Sequence, residues 1–194
     1  MVPPYFGPIS YWKEIVNSNI IWDVHQNYIK QTYRNRTFIH SANGIQKLTI
    51  PINHSKIKFS MMDAEIDNKI GWQKNHWRSI QSAYSSSPFF EFYKDSLEEI
   101  YNKKYKNLVK FNFELIKLVL EWLDIELKSE LSKEYKPHYN KTLDLRKNIE
   151  NKRFSKIENK TYIQVFSGKN GFINDLSIID LIFNEGPNSF SYLK

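Results

Sequence analysis

Tyr33-Arg34-Asn35-Arg36 sets two guanidinium groups around one asparagine in a chain that otherwise carries its positive charge on lysine. Of 28 basic residues only five are arginines, at 34, 36, 78, 146 and 153. Lysine serves wherever a point charge suffices, whereas arginine offers a planar fork that grips a carboxylate or phosphate with paired N–H donors. On a strand, alternate side chains share a face, so Lys30, Thr32, Arg34 and Arg36 point one way and Gln31, Tyr33 and Asn35 the other. The spacing from Arg34 to Arg36, two strand rises of ~3.3 Å each, lets both forks converge on one anionic group. The alternative is a solvent face on which each arginine pairs with a nearby acid and contributes little.

His76 is the second candidate. In "GWQKNHWRSIQSAY", Trp72, His76, Ile80 and Tyr84 recur every four residues beside Trp77, which predicts a helix from near Gly71 carrying one aromatic stripe. An imidazole on such a stripe is either a hydrogen-bonded interior or pocket-rim residue or a general base. The third candidate lies in "DLSIIDLIFNEGP", which is apolar almost all round except for Ser177, Asp180 and Asn184 at i, i+3 and i+7. Asp175 is placed to cap this helix and Gly186-Pro187 to stop it. The narrow polar strip is either the helix's wet side or a buried strip aiming a carboxylate and an amide into a pocket, toward Arg34 or Arg36.

The elements that must position these groups alternate between helix and strand. "PPYFGPI" reads as a loop, Ser10 as the cap of a short helix through Val16, and "IIWDVH" at 20–25 as a strand. The β-prone run from Tyr28 to Ile39 and "KLTIPI" at 47–52 flank Asn43-Gly44, which supplies the positive φ angles of a hairpin turn. Ser96 and Glu99 fit a capping box for a long helix through Trp122, with Lys110, Glu114, Lys117 and Glu121 on its wet face. The polar stretch 126–160 is expected to hold a short strand, a short helix around "LDLRKNI" and a loop, followed by a strand "TYIQVF" and its turn "SGKNG". That turn lacks the longer glycine frame and following Ser or Thr of a phosphate-binding P-loop. The fold class is α/β or α+β, a single mixed-sheet domain over 1–194 with a β-hairpin and several packed helices.

Composition narrows the function classes. The chain has no cysteine, which excludes disulfides, thiolate catalysis and cysteine-held metals. Its net charge of +7 comes from lysines spread along the whole chain, which reads as a solvated surface and not as a nucleic-acid footprint. The charged stripe through 110–121 argues against a membrane span. "MVPPYFGPISYW" lacks the basic start and apolar run of a secretory signal, which points to the cytoplasm.

Five blocks in order, "YFGPISYW", "NYIKQTYRNRTFI", "ANGIQKLTIPI", "HWRSIQSAYSSSPFFEFY" and "LSIIDLIFNEGP", resemble the WbqC-like family of bacterial proteins. The resemblance implies a place in O-antigen or other surface-polysaccharide synthesis, with attachment of glycine or another amino acid to a sugar as the suggested activity. It carries no established catalytic residue, and the cofactor is unknown. The expected site then has Arg34 and Arg36 holding an anionic group of a sugar or nucleotide-sugar substrate, with Gln31, Tyr33 and Asn35 shaping the other side of the strand. Tyr5, Tyr11 and Asn184 join the binding set, and Trp72 and Trp77 offer faces for sugar stacking. His76 would take the proton of an attacking amine and Asp180 would orient it or balance the arginines. The alternative is a non-catalytic sugar- or nucleotide-binding accessory protein of polysaccharide assembly.

Overall fold

A computed structural model describes residues 1–53, 58–139, 143–146 and 159–194. It is a mixed α/β structure whose helices pack around two small two-stranded sheets among the described residues. The first helix, α1 (Ile9–Val16), has Pro8 at its N-cap, so Ser10 sits inside the helix and does not cap it. The cap comes from far along the chain. Asp175, turned by a φ of +57°, accepts the Ser10 backbone N–H at 2.8 Å and the Ser10 hydroxyl at 2.7 Å. A helix N-terminus with free N–H groups favours such an anion. Asp175 therefore caps the first helix, and Ser177 takes the N-cap of the last long one.

Strand β1 (Ile20–Trp22) is shorter than 20–25 because Asp23 turns the chain, its Oδ1 accepting the N–H groups of His25 and Gln26. The antiparallel hairpin of β2 (Arg36–Ser41) and β3 (Gly44–Thr49) closes where Ser41 faces Gly44, as the turn residues predict. Its first strand begins at Arg36 and not at Tyr28. Residues 30–35 form successive turns, with Gln31 at a φ of +69° and the Asn35 N–H on the Thr32 carbonyl. Arg34 thus lies off the strand, and the alternation that placed it beside Arg36 does not apply.

Helix α2 (Trp72–Tyr84) starts at Gly71, whose φ of +57° suits glycine, and buries the predicted stripe with Trp77. The expected single helix through Trp122 is two, α3 (Phe90–Asn102) and α4 (Leu108–Trp122). Ser96 lies inside α3, where it donates to the Tyr93 carbonyl and accepts from the Trp122 indole at 3.1 Å. The break at 103–107 ends on Asn107, which caps α4 by accepting the Lys110 N–H.

Strand β4 (Ser129–Leu131) pairs in parallel with β1. Apart from 143–146, the helix and loop expected around "LDLRKNI" lie outside the described residues. Residues 161–164 of "TYIQVF" alternate in burial, Tyr162 inward and Ile163 81% exposed, Val165 and Phe166 turn, and among the described residues the segment pairs with no strand. The following "SGKN" is a short helix, α5 (Ser167–Asn170). Next comes α6 (Ile178–Glu185), buried through Asn184, and after a 3-10 turn at Gly186–Ser189 the chain ends in α7 (Phe190–Leu193). Among the described residues no helix is long and apolar enough to cross a membrane.

Candidate functional site

The two parallel strands β1 and β4 run directly into Asp23 and Ser132, and polar groups gather at their carboxyl ends. Asp23 is buried, and its Oδ2 accepts from Arg146 Nη1 at 2.7 Å. Arg146 spends its whole fork locally. Nε and Nη2 donate to Asp144 at 2.9 and 2.6 Å, Nη1 to the Lys136 carbonyl at 2.8 Å, and Nη2 to the Pro137 carbonyl at 3.1 Å. The rings of Tyr135 and Tyr139 lie 5.7 and 5.0 Å from the guanidinium carbon. The Arg146 hydrogen bond holds the Asp144 carboxyl below its ordinary range, against the opposing effect of burial.

Two cavities flank this clamp. One of about 230 Å³ is lined by Asp23, Tyr139 and Asp144 together with Ser18 and Asn19. The other, about 370 Å³, is lined by Gln26, Asn27, Tyr135, His138 and Asp144. Arg146 borders both. The larger one combines planar polar side chains with an aromatic ring, the surfaces that meet hydroxyl-rich ligands, whereas Met1, Ile20, Ile21, Leu143 and Leu145 make the smaller one largely apolar.

Arg34 reaches the same region from behind. It is fully buried, with Nη2 on the Gln26 side-chain oxygen at 2.7 Å and Nη1 on the Thr32 hydroxyl at 3.2 Å. Gln26 therefore ties Arg34 to the larger cavity. Arg36 sits opposite Thr49 on the hairpin. Burial pushes the nearby Tyr28 phenol up to about 12, moderated by the charges of Arg34 and Arg36. The segment 23–28 after β1 thus presents Asp23 to Arg146, Gln26 to Arg34 and Tyr28 to the field of Arg36.

The remaining expected residues lie elsewhere. Gln31 is exposed, Tyr33 packs edge-on against Phe38, and Asn35 donates to the Ile50 carbonyl at 2.8 Å. Tyr11 donates to the Val2 carbonyl at 2.6 Å. Trp72 and Trp77 are 2% and 7% exposed, so their faces pack in the interior, Trp77 against Phe90 and Tyr101. His76 is buried too. Its Nδ1 bonds the Tyr5 hydroxyl at 2.8 Å, which meets the Tyr101 hydroxyl at 2.5 Å. Burial pulls the imidazole down to about 4, only partly opposed by a hydrogen bond to the Thr49 carbonyl.

Asp180 is buried at a separate centre. It accepts from Tyr84 at 2.8 Å, Tyr162 at 2.5 Å and the Gln164 amide at 3.0 Å, and burial raises its carboxyl above the ordinary value. Asn184 donates to the Asp180 carbonyl one turn back. The polar strip of α6 is therefore buried, but it faces Tyr84 and Tyr162 and not the arginines. His76 and Tyr84 stand eight residues apart on α2, about 12 Å along the axis, which separates the His76 and Asp180 centres. The structure brings together Arg34, Gln26, Asp23, Asp144 and Arg146. Of these, sequence reasoning singled out only Arg34 for the site. The scarcity of arginine marked Arg146 as well, but its partner Asp23 lies 123 positions away.

The chain belongs to the WbqC-like protein family, whose model matches residues 3–170. It is similar to the uncharacterized protein Rv1507c of Mycobacterium tuberculosis, 27% identical over an alignment covering 98% of this chain and 91% of that protein. No solved structure matches.

Proposed function

We propose that the chain is an aminoacyl or acyl group transferase acting on a sugar or nucleotide sugar in bacterial surface-polysaccharide synthesis. The carrying observation is that two cavities share one wall, the Asp144–Arg146 pair. Group transfer needs donor and acceptor held side by side, and a common wall of fixed, mutually bonded side chains orients both. The larger cavity takes the sugar, with Tyr135 as a stacking surface and Gln26 and Asn27 as hydroxyl partners. The smaller takes the acyl donor. In the transfer an amine attacks the acyl carbonyl, a C–N bond forms, the bond to the leaving group breaks, and the amine proton passes to a base. His138, which lines the larger cavity, is assigned that proton in place of the interior His76. The cytoplasmic setting and the treatment of 1–194 as one unit belong to the same proposal.

A second reading, a sugar-binding accessory protein, is favoured by the saturation of Arg146, whose fork is spent on Asp23, Asp144 and two carbonyls. Calorimetric titration of sugars, nucleotide sugars, amino acids and ATP with Mg²⁺ into wild type, Tyr135→Ala and His138→Ala separates the two. The transferase binds two ligands at once, and His138→Ala keeps binding but loses the acylated product seen by mass spectrometry. A binder takes one sugar ligand, loses it in Tyr135→Ala, and forms no product in any variant. Absence of binding by every ligand would remove both readings.

A further inference from the structure

A third depression lies away from these cavities, between the outer face of α4 and the extended residues 125–129. It is an open groove of about 610 Å³ with an apolar floor of Trp22, Phe113, Ile116, Leu120, Ile125 and Leu127. Its rim is acidic. Among the described residues, Glu114, Glu121, Asp124 and Glu126 line it with Lys117 as the one cation, in a chain whose overall charge is +7. Lys117 approaches Glu121 at 3.8 Å, so part of its charge is already answered within the rim.

From Phe113 to Glu121 the α4 wall rises eight residues, about 12 Å, a little over two helical turns. Apolar residues at 113, 116 and 120 repeat at i, i+3 and i+7, the spacing into which a second helix lays its own apolar stripe. We infer that this groove docks an amphipathic helix of a partner protein, with leucine-like anchors on the floor and lysine or arginine flanking them against the acidic rim. Charge complementarity selects the occupant. The large apolar side chain exposed on the neighbouring helix α3, Phe92, is flanked by Glu91 and Asp95, so that helix of a second copy would meet the rim with like charge.

The test is fluorescence anisotropy of a labelled model helix of leucine and lysine in heptad register, set against the same design with glutamate for lysine. Full-length wild type is expected to bind the lysine helix at micromolar Kd and the glutamate helix at least tenfold more weakly. The charge reversal Glu114→Lys/Glu121→Lys, confined to the exposed rim and leaving the floor intact, should weaken the lysine helix at least tenfold. Leu120→Asp should do the same by spoiling the floor. Equal binding of both helices, unchanged binding by the rim variant, or no binding of the lysine helix to wild type would each overturn the proposal. So would a concentration-dependent dimer abolished by the rim variant, which would give the groove to a second copy of the chain.

Discussion

Replacing His76 with glutamine should remove about 3 kcal/mol of acid sensitivity from the fold. In the folded chain the ring is held neutral. Tyr101 donates to Tyr5, Tyr5 to Nδ1 of His76, and the other ring nitrogen bonds the Thr49 carbonyl. A proton on Nδ1 would face a hydroxyl already donating to it, in a site closed to water. The imidazole accordingly titrates near pH 4 in the fold against 6.5 when free. Between these values the unfolded chain binds a proton that the folded chain refuses, so stability falls as the pH drops from about 6.5 to about 4 and loses nothing further from this group below that. At about 1.4 kcal/mol per pH unit, the interval amounts to about 3 kcal/mol. Asp175 and Asp180, raised by burial, act in the opposite sense, since their folded forms take up protons first and gain stability as the pH falls. The informative quantity is therefore the difference between wild type and His76→Gln. Urea unfolding followed by tryptophan fluorescence at pH 7, 5.5 and 4 measures it. Wild type should lose about 3 kcal/mol relative to the variant across that range. A difference that stays constant with pH would refute the buried, neutral imidazole.

Asp180→Asn should destabilise by about 1–3 kcal/mol, because the single amide oxygen serves either Tyr84 or the Tyr162–Gln164 pair and the NH₂ group then meets a donor on the other side. The urea midpoint at pH 7 checks it. Arg146→Lys should cost about 1–3 kcal/mol, since an ammonium keeps the charge but supplies three donors where Asp23, Asp144 and two carbonyls engage five N–H groups. Simultaneous replacement of Asp23 and Arg146 by apolar residues should recover part of that loss in a double-mutant cycle. Gly186→Ala should lower stability by about 2 kcal/mol, because a Cβ there would overlap the Phe89 ring at a φ of +54°. Thermal unfolding reads this directly.

Local signals in the sequence were reliable where one element decided them. The four-residue repeat Trp72-His76-Ile80-Tyr84 and the turn at Asn43-Gly44 each specify their geometry without help from elsewhere. The helix break at 103–107 was hidden because "KKYKN" contains neither glycine nor proline, and the stop depends on Asn107 capping the next helix. The reach of Asp175 back to α1 was hidden for a different reason. A capping box is read over three residues, whereas this cap spans 165. Arg34 was misplaced by β propensity alone, as the turn set by Gln31 and Thr32 carries it off the strand before pairing begins.

The arginines show why composition can reveal a site that spacing conceals. In a chain drifting toward lysine, a retained arginine marks a place where several acceptors must be answered in one plane. Arg146 fits that logic, since Asp23, Asp144 and the carbonyls of Lys136 and Pro137 surround it in directions only a fork can serve. Arg34 fits it in the interior, joined to Gln26 and Thr32. Arg146 therefore ties the segment after β1 to the carbonyls of Lys136 and Pro137, Arg34 ties it to Thr32 through Gln26, and both forks are engaged within the fold. The larger cavity they frame presents carboxylate, amide and aromatic surfaces, which suits a hydroxyl-bearing ligand better than the anion that Arg34 and Arg36 were expected to hold.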